Sequence, residues 1–259
     1  MRPERQRPTS WYLDPVVAQQ KREVHRELVY RWTRGLQVGT YLKTDLFEEA
    51  NGADQILFDL YPPPCRAIGM DLSAATATEA ARRCPSDSAR FMACDARHVA
   101  LRPGSLDLIV STSTLDHLES AEQFRASLAE LSALLRGGGV LIITVDNPQN
   151  PLYRPLRWAS HRGWLPFVLG YTPKLKELKD FLIELQLEVL GGDWILHNPR
   201  AFSTLLWMFL RKFLKKRADL PIRFFLGLFA LLGRLPTRRW TGCFSAVYAR
   251  CPERRSGVE

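Results

Sequence analysis

The stretch AIGMDLS, residues 67–73, sets four apolar residues ahead of an aspartate and then opens into an Ala-rich run that starts at Ser73. A strand that delivers an acid at its carboxyl end and turns straight into a helix is the repeating unit of open parallel α/β sheets, which bind their ligands at those ends. Asp71 in that place can accept hydrogen bonds from both hydroxyls of a ribose; it can equally cap the following helix. A second pattern lies downstream. FMACDARHVALRPGSLDLIVSTSTLDHL, residues 91–118, holds an Asp-Ala after one strand, a Pro-Gly turn and another strand ending in polar residues.

Outward from these segments, short aliphatic or β-branched runs alternate with helical stretches, which predicts a mostly parallel, Rossmann-like α/β sheet with helices on both faces. The predicted strands are 40–47, 65–72, 89–96, 106–114 and 139–147. Ser73 to Arg83 and Ala121 to Leu135 supply crossover helices, the second with Phe124, Leu128, Leu131, Leu134 and Leu135 on one face. Ahead of the core, Val17, Val24, Leu28 and Trp32 recur at helical spacing, and Asp14-Pro15 reads as an N-cap and first turn. Gly137-Gly138-Gly139 fits a helix end feeding a strand. Residues 148–172, rich in Pro, Trp and Tyr, read as an irregular segment over the sheet, followed by a helix from 172 or 173 to about 186 and two late strands. The organisation expected is an N-terminal arm and helix over 1–35, a core over 36–198, a basic amphipathic helical insertion over 199–239, and a final strand and tail over 240–259.

Charge is concentrated in the last quarter. From Arg200 onward there are thirteen Lys or Arg against three acids, while the whole chain of 259 residues carries a formal +9. Such a surplus attracts acidic lipid headgroups, nucleic acid or an anionic substrate; a solvated helix face is the plainer reading. The basic cluster carries no recognisable DNA- or RNA-binding motif. Five scattered cysteines form no metal-ligand spacing, so no metal site is expected. A polar, basic N-terminus without an apolar stretch predicts a cytoplasmic protein, with association at an anionic membrane surface through 199–239 as the further expectation. The apolar run Phe224 to Gly233 is far shorter than the ~20 residues a membrane-crossing helix needs.

On the residues of 91–118 the sequence resembles the class I S-adenosylmethionine-dependent methyltransferases. The resemblance runs over about 36–147, more loosely over 172–198 and 240–252. It implies S-adenosylmethionine as cofactor, with Asp71 at the ribose and Leu72 beside it among the cofactor contacts, Asp95 at the adenine amino group, Ala96 at the ring through its backbone N–H, and Ser111 on the fourth strand where cofactor meets substrate. The acceptor expected is a small molecule or, from the apolar and basic insertion over 199–239, a lipid-like compound. A catalytically inactive binding domain is the alternative. The family's first strand runs into a glycine-rich turn, whereas this chain reads YLKTDLFEEANG over 41–52, with bulky Leu46 and Phe47 where small residues belong. Asp45 or Glu48 there can pair with the cofactor's ammonium group. No GxGxxG follows any predicted strand, against a nicotinamide dinucleotide.

His117 is the candidate catalytic base, since STLDHL leaves the fourth strand and imidazole titrates near neutral pH; capping a helix or bonding a carbonyl is its other reading. Asp116 and Glu119 share that ambiguity. His197, Asn198 and Arg200 fit a late loop facing an anionic substrate, and Tyr12, Tyr153 and Trp158 a substrate pocket or ordinary packing.

Overall fold

The computed structural model describes residues 14–51, 56, 60, 61, 64–84, 87, 89–164 and 168–253. Helix α1 (Pro15–Trp32) starts where expected, its cap Asp14 accepting the amides of Val16 and Val17. There follow β1 (Thr40–Thr44), α2 (Phe47–Asn51), β2 (Arg66–Asp71), α3 (Ala74–Arg83), β3 (Ala89–Ala93), β4 (Leu106–Thr112), α4 (Ala121–Ala133) and β5 (Leu135–Asp146). Beyond the core strands come α5 (Tyr153–His161), α6 (Leu175–Glu184), β6 (Glu188–Ile195), α7 (Arg200–Leu214), α8 (Asp219–Ala230), α9 (Arg238–Thr241) and β7 (Phe244–Arg250).

The seven strands form one sheet in the order β3-β2-β1-β4-β5-β7-β6. β1 pairs in parallel with both β2 and β4, so the chain reverses its direction of travel across the sheet there and opens a crevice at the carboxyl ends. β7 enters antiparallel between β5 and β6, which is the late strand pair expected from the sequence. β4 is buried along its whole length, as a central strand covered on both faces must be. One face packs Phe124, Leu128 and Leu131 of α4 with Leu178 and Leu182 of α6; the other packs Leu28 and Val29 of α1 with Tyr41 and Leu46.

Three local expectations change. The first strand stops at Thr44 rather than running to 47, because Asp45 takes a left-handed φ of 63° and its Oδ1 accepts the Phe47 amide to open α2. The Gly137–Gly139 run lies within β5, with Gly138 at φ 77°, rather than between helix and strand. The segment 148–172 contains the regular helix α5 in place of an irregular cover.

The insertion is anchored by Trp207, Ala218, Ile222 and Leu226, which pack on Val16, and by the Arg211 guanidinium, which grips the Asp14 carboxylate. Among the described residues, no helix is long and apolar enough to cross a membrane.

Candidate active site

At the end of β2, Asp71 Oδ1 accepts the Ser73 amide at 2.8 Å and Oδ2 accepts the Leu46 amide at 2.9 Å. A carboxylate has about four acceptor positions, so two stay open toward the crevice once these amides fix its orientation. The capping and binding readings of Asp71 are therefore compatible. Leu72, next in the chain, is 76% exposed and offers an apolar surface at the strand end.

The neighbouring end of β1 replaces a glycine-rich turn with buried ions. Lys43, wholly buried, donates to Glu49 Oε2 at 2.8 Å and to the Asp45 carbonyl. Glu49 Oε1 takes the Ile56 amide at 3.0 Å, and Lys21 pairs with Glu48. Burial works against the Lys43 charge, but Glu49 and Glu48 outweigh it and raise its pKa. Burial would raise Glu48, yet Lys21 and Lys43 bring it down to about 2. Asp45, half-buried, is pushed up to about 6 by desolvation and by the Glu48 charge. Its positive φ is the conformation glycine normally supplies, and Asp is among the few other residues that adopt it readily. That turn sends Leu46 into the core, wholly buried, so the bulky side chain leaves the crevice open while its amide reaches Asp71.

Asp95, just after β3, is held differently. Arg97 Nε lies 3.0 Å from both carboxylate oxygens, Nη2 lies 2.6 Å from Oδ2, and the Arg97 amide donates to Oδ1 at 2.9 Å. These contacts fill the carboxylate's acceptor positions, and Arg97 holds its pKa below the usual range. Ala96 is partly buried against the core. Ser111 lies beneath the crevice floor, 1% exposed, its Oγ accepting the Thr44 hydroxyl at 2.9 Å.

β4 ends in a second strained position, Ser113 at φ 49°. Its hydroxyl oxygen is buried without a hydrogen-bond partner among the described residues. Non-glycine residues forced into this region cluster at working sites, and Asp45 and Ser113 sit at the ends of paired strands. Asp116 is buried and its Oδ2 accepts the Asp146 amide at 2.7 Å, joining the β4 and β5 ends. His117 remains exposed, with Nδ1 2.8 Å from the Val168 carbonyl. Loss of water around the ring disfavours its charge, but Asp116 and the Val168 carbonyl prevail and raise its pKa. A strap over 168–171 closes on this loop. The Gly170 amide donates to the Asp116 carbonyl, and a Cβ on Gly170 would meet the Leu118 carbonyl oxygen at 2.0 Å.

The crevice thus brings together Asp45, Asp71, Leu72, Asp95, Ala96 and, across β4, Ser113 and His117. It does not include His197, whose ring nitrogens engage the Thr241 hydroxyl at 2.9 Å and the Trp194 carbonyl at 3.0 Å. His197 and Asn198 line a cavity of about 420 Å³ between α1, β6 and α8. A cavity of about 340 Å³ lies between α5 and the ends of β5 and β7, with Tyr153 and Trp158 in its wall. Tyr12 falls outside the described residues. Sequence reasoning missed Ser113 and the strap. A serine at positive φ leaves no compositional trace, and the strap is a contact across 51 residues. Among the described residues, no group of three or more His, Cys, Asp or Glu is arranged to hold a metal ion.

Residues 50–143 match the family model described as a methyltransferase domain. No curated protein matches. Solved structures share the fold at low identity. The N-methyltransferase NodS of Bradyrhizobium japonicum, crystallised with S-adenosyl-L-homocysteine, is 17% identical, with 90% of this chain and 88% of that one covered at a TM-score of 0.54. A geranyl diphosphate methyltransferase, crystallised with geranyl diphosphate and sinefungin, is 15% identical over 88% of this chain and 77% of that one, TM-score 0.57. The cyclase SpnF is also 15% identical, over 89% and 80%, TM-score 0.58. The fold and the domain match bear out the resemblance to the class I methyltransferases.

Proposed function

With a methyltransferase domain matched over residues 50–143 as the premise, we propose that this chain is an S-adenosylmethionine-dependent methyltransferase acting on a small-molecule or lipid-like acceptor. The observation that carries the reading is Asp71, oriented by two amides at the crevice mouth with acceptor positions left for a ribose. Leu72 supplies an apolar surface for the adenine, beside the Ala96 backbone. Asp95 reaches the adenine amino group once Arg97 yields an acceptor position. Asp45 offers its carboxylate to the cofactor's ammonium group at neutral pH, above its value of about 6. Ser111 keeps the β1 and β4 ends in register through Thr44.

Bound there, S-adenosylmethionine supplies an electrophilic methyl group. The chain's own work is then to orient the acceptor and keep water out. The strap and Asp116 fix the loop that presents His117, whose free Nε2 takes a proton from an acceptor that must lose one. Because its pKa is raised, the ring stays protonated to a higher pH than an ordinary imidazole and serves as a base only above that point.

Calorimetric titration with S-adenosylhomocysteine tests the reading. Binding by the parent, weakened about 10-fold to 100-fold in Asp71→Ala by loss of charge-assisted hydrogen bonds, supports it. No binding by a folded parent, with S-adenosylmethionine also silent, would leave a methyltransferase fold without its cofactor. Cofactor binding without transfer to any acceptor would favour the inactive domain.

A peripheral membrane role has its own support. Leu205, Phe209 and Phe213 of α7 and Phe224 of α8 are 59–69% exposed beside Arg211, Lys212, Lys215, Lys216 and Arg217. Apolar groups flanked by cations suit an anionic lipid interface. Co-sedimentation with phosphatidylserine vesicles, reduced by changing Lys215, Lys216 and Arg217 to Glu, is the expected result; unchanged sedimentation removes the electrostatic part.

A further inference from the structure

We propose that the 340 Å³ cavity between α5 and the carboxyl end of β5 seats a single apolar chain carried by the methyl acceptor, an assignment that rests on the methyltransferase reading above. The volume lies low in the ~300–1,000 Å³ range of small-molecule sites. Leu152, Leu156, Trp158, Ala159 and Trp164 supply its apolar wall.

The polar side chains in the wall decide what can enter. Asn147 Nδ2 donates to the Arg239 and Gly242 carbonyls at 2.8 and 2.9 Å, and its Oδ1 accepts the Gln149 amide at 3.1 Å. Asn150 Nδ2 donates to the Gly242 carbonyl at 3.1 Å and its Oδ1 accepts the Leu152 amide at 2.9 Å. The Cys243 thiol donates to the Asn198 carbonyl at 2.8 Å. These groups are already committed to holding the turn before β7 and the segment before α5. A polar ligand would lose its water without recovering hydrogen bonds, whereas an apolar chain loses nothing by entering. At the mouth, Trp158 and Trp164 meet edge to face at 4.9 Å and stay 51% and 66% exposed.

The cavity also lies where an acceptor is needed. Asn147 follows Asp146, whose amide donates to Asp116, the residue before His117. Next along α5 from Ala159 of the wall, the Ser160 hydroxyl accepts the Leu169 amide from the strap that holds His117. A chain in the cavity therefore leaves its nucleophilic head at the β5 edge, beside that loop.

Tryptophan-fluorescence titration of the full chain with straight primary alcohols, butanol to dodecanol, tests this, with S-adenosylhomocysteine calorimetry run in parallel. Each added methylene is expected to tighten binding about 4-fold until the cavity is filled. Ala159→Phe, which fills the cavity, should weaken dodecanol 10-fold or more while nucleoside binding is kept; Leu156→Phe serves if the first variant fails to fold. Absence of a chain-length trend in a parent that binds S-adenosylhomocysteine overturns this inference alone. A trend that survives both filling variants but is lost in Phe209→Ser/Phe213→Ser also overturns it, by moving the chains to the α7 surface. Alcohol binding without nucleoside binding overturns the acceptor role together with the methyltransferase reading.

Discussion

At the β1 end of the sheet, Lys43, Glu48 and Glu49 turn inward and form ion pairs in the core, whereas beyond β5 the chain turns apolar side chains outward, Phe209, Phe213 and Leu220 among them at 59%, 64% and 81% exposure. Ordinary folding favours the reverse of both. Buried charges lose hydration and need close partners, and contiguous exposed aromatics serve a partner more often than the fold. The first region uses charge to hold the backbone turn that follows β1. The second leaves hydrophobic surface open on α7 and α8.

The largest expected effect strikes the inward cluster. Lys43→Met leaves Glu49 buried without the Lys43 cation and should cost about 3–5 kcal/mol in denaturant unfolding. Lys43→Met/Glu49→Met should regain a substantial part, because the remaining cost is only lost pairing. If the single variant unfolds like the parent, the cluster is not what stabilises the β1 turn. Next in size is the turn itself. Asp45→Val places a β-branched side chain at φ 63° and should lose about 1–2 kcal/mol. Asp45→Gly should retain stability to within about 1 kcal/mol, because it keeps the conformation, while S-adenosylhomocysteine binds more weakly for want of the ammonium's partner. Equal losses in both would show that the carboxylate, rather than the turn, is what the position requires.

The contrast between regions also marks what was legible beforehand. β2 to β5 follow from runs such as AIGMD and LDLIVST because a central parallel strand is apolar on both faces, and Asp71 stands out as the polar residue at such a run's end. The β1 end was harder. Leu46 read as an obstacle, since the sequence does not show that Asp45 would adopt a glycine-like φ and turn that side chain into the core. Asp95 was found, but not its capture by Arg97, two residues away, because charge pairing depends on the turn between them. In the insertion the periodicity was plain, yet it could not divide Phe225, packed with Trp207 at 6.5 Å, from Phe224, left 69% exposed.

A smaller effect follows from Asp45's raised pKa. The unfolded carboxyl titrates near 3.8 and the folded one at about 6, so the protonated form is favoured by folding. Its contribution is fully present below 3.8 and is lost as pH rises through 6. Asp45→Asn should therefore gain on the parent, by on the order of 1 kcal/mol, between pH 4 and pH 7. Unfolding midpoints at the two pH values measure this. Glu48 gives the opposite slope at lower pH, since its depressed value means stability lost as pH falls from 4.5 toward 2. A parent–variant difference that does not widen from pH 4 to pH 7 would mean that the crevice hydrates Asp45 too well for the shift to matter.

The smallest expected effect bears most directly on function. Phe209→Ser/Phe213→Ser removes two rings that pack mainly on each other, 4.6 Å apart, and leaves the Trp207 core untouched. Thermal or denaturant unfolding should move by no more than about 0.5 kcal/mol, as for other surface substitutions. Against phosphatidylserine vesicles the same variant should lose binding, because it deletes apolar area that would enter the interface while keeping every cation of α7. Stability unchanged with binding lost assigns the outward face to lipid. Stability lost by 2 kcal/mol or more would make the rings part of the fold and erase the contrast with the β1 cluster. Stability and binding both unchanged would leave the cations alone to draw the chain to vesicles, and the salt dependence of sedimentation would then carry the whole effect.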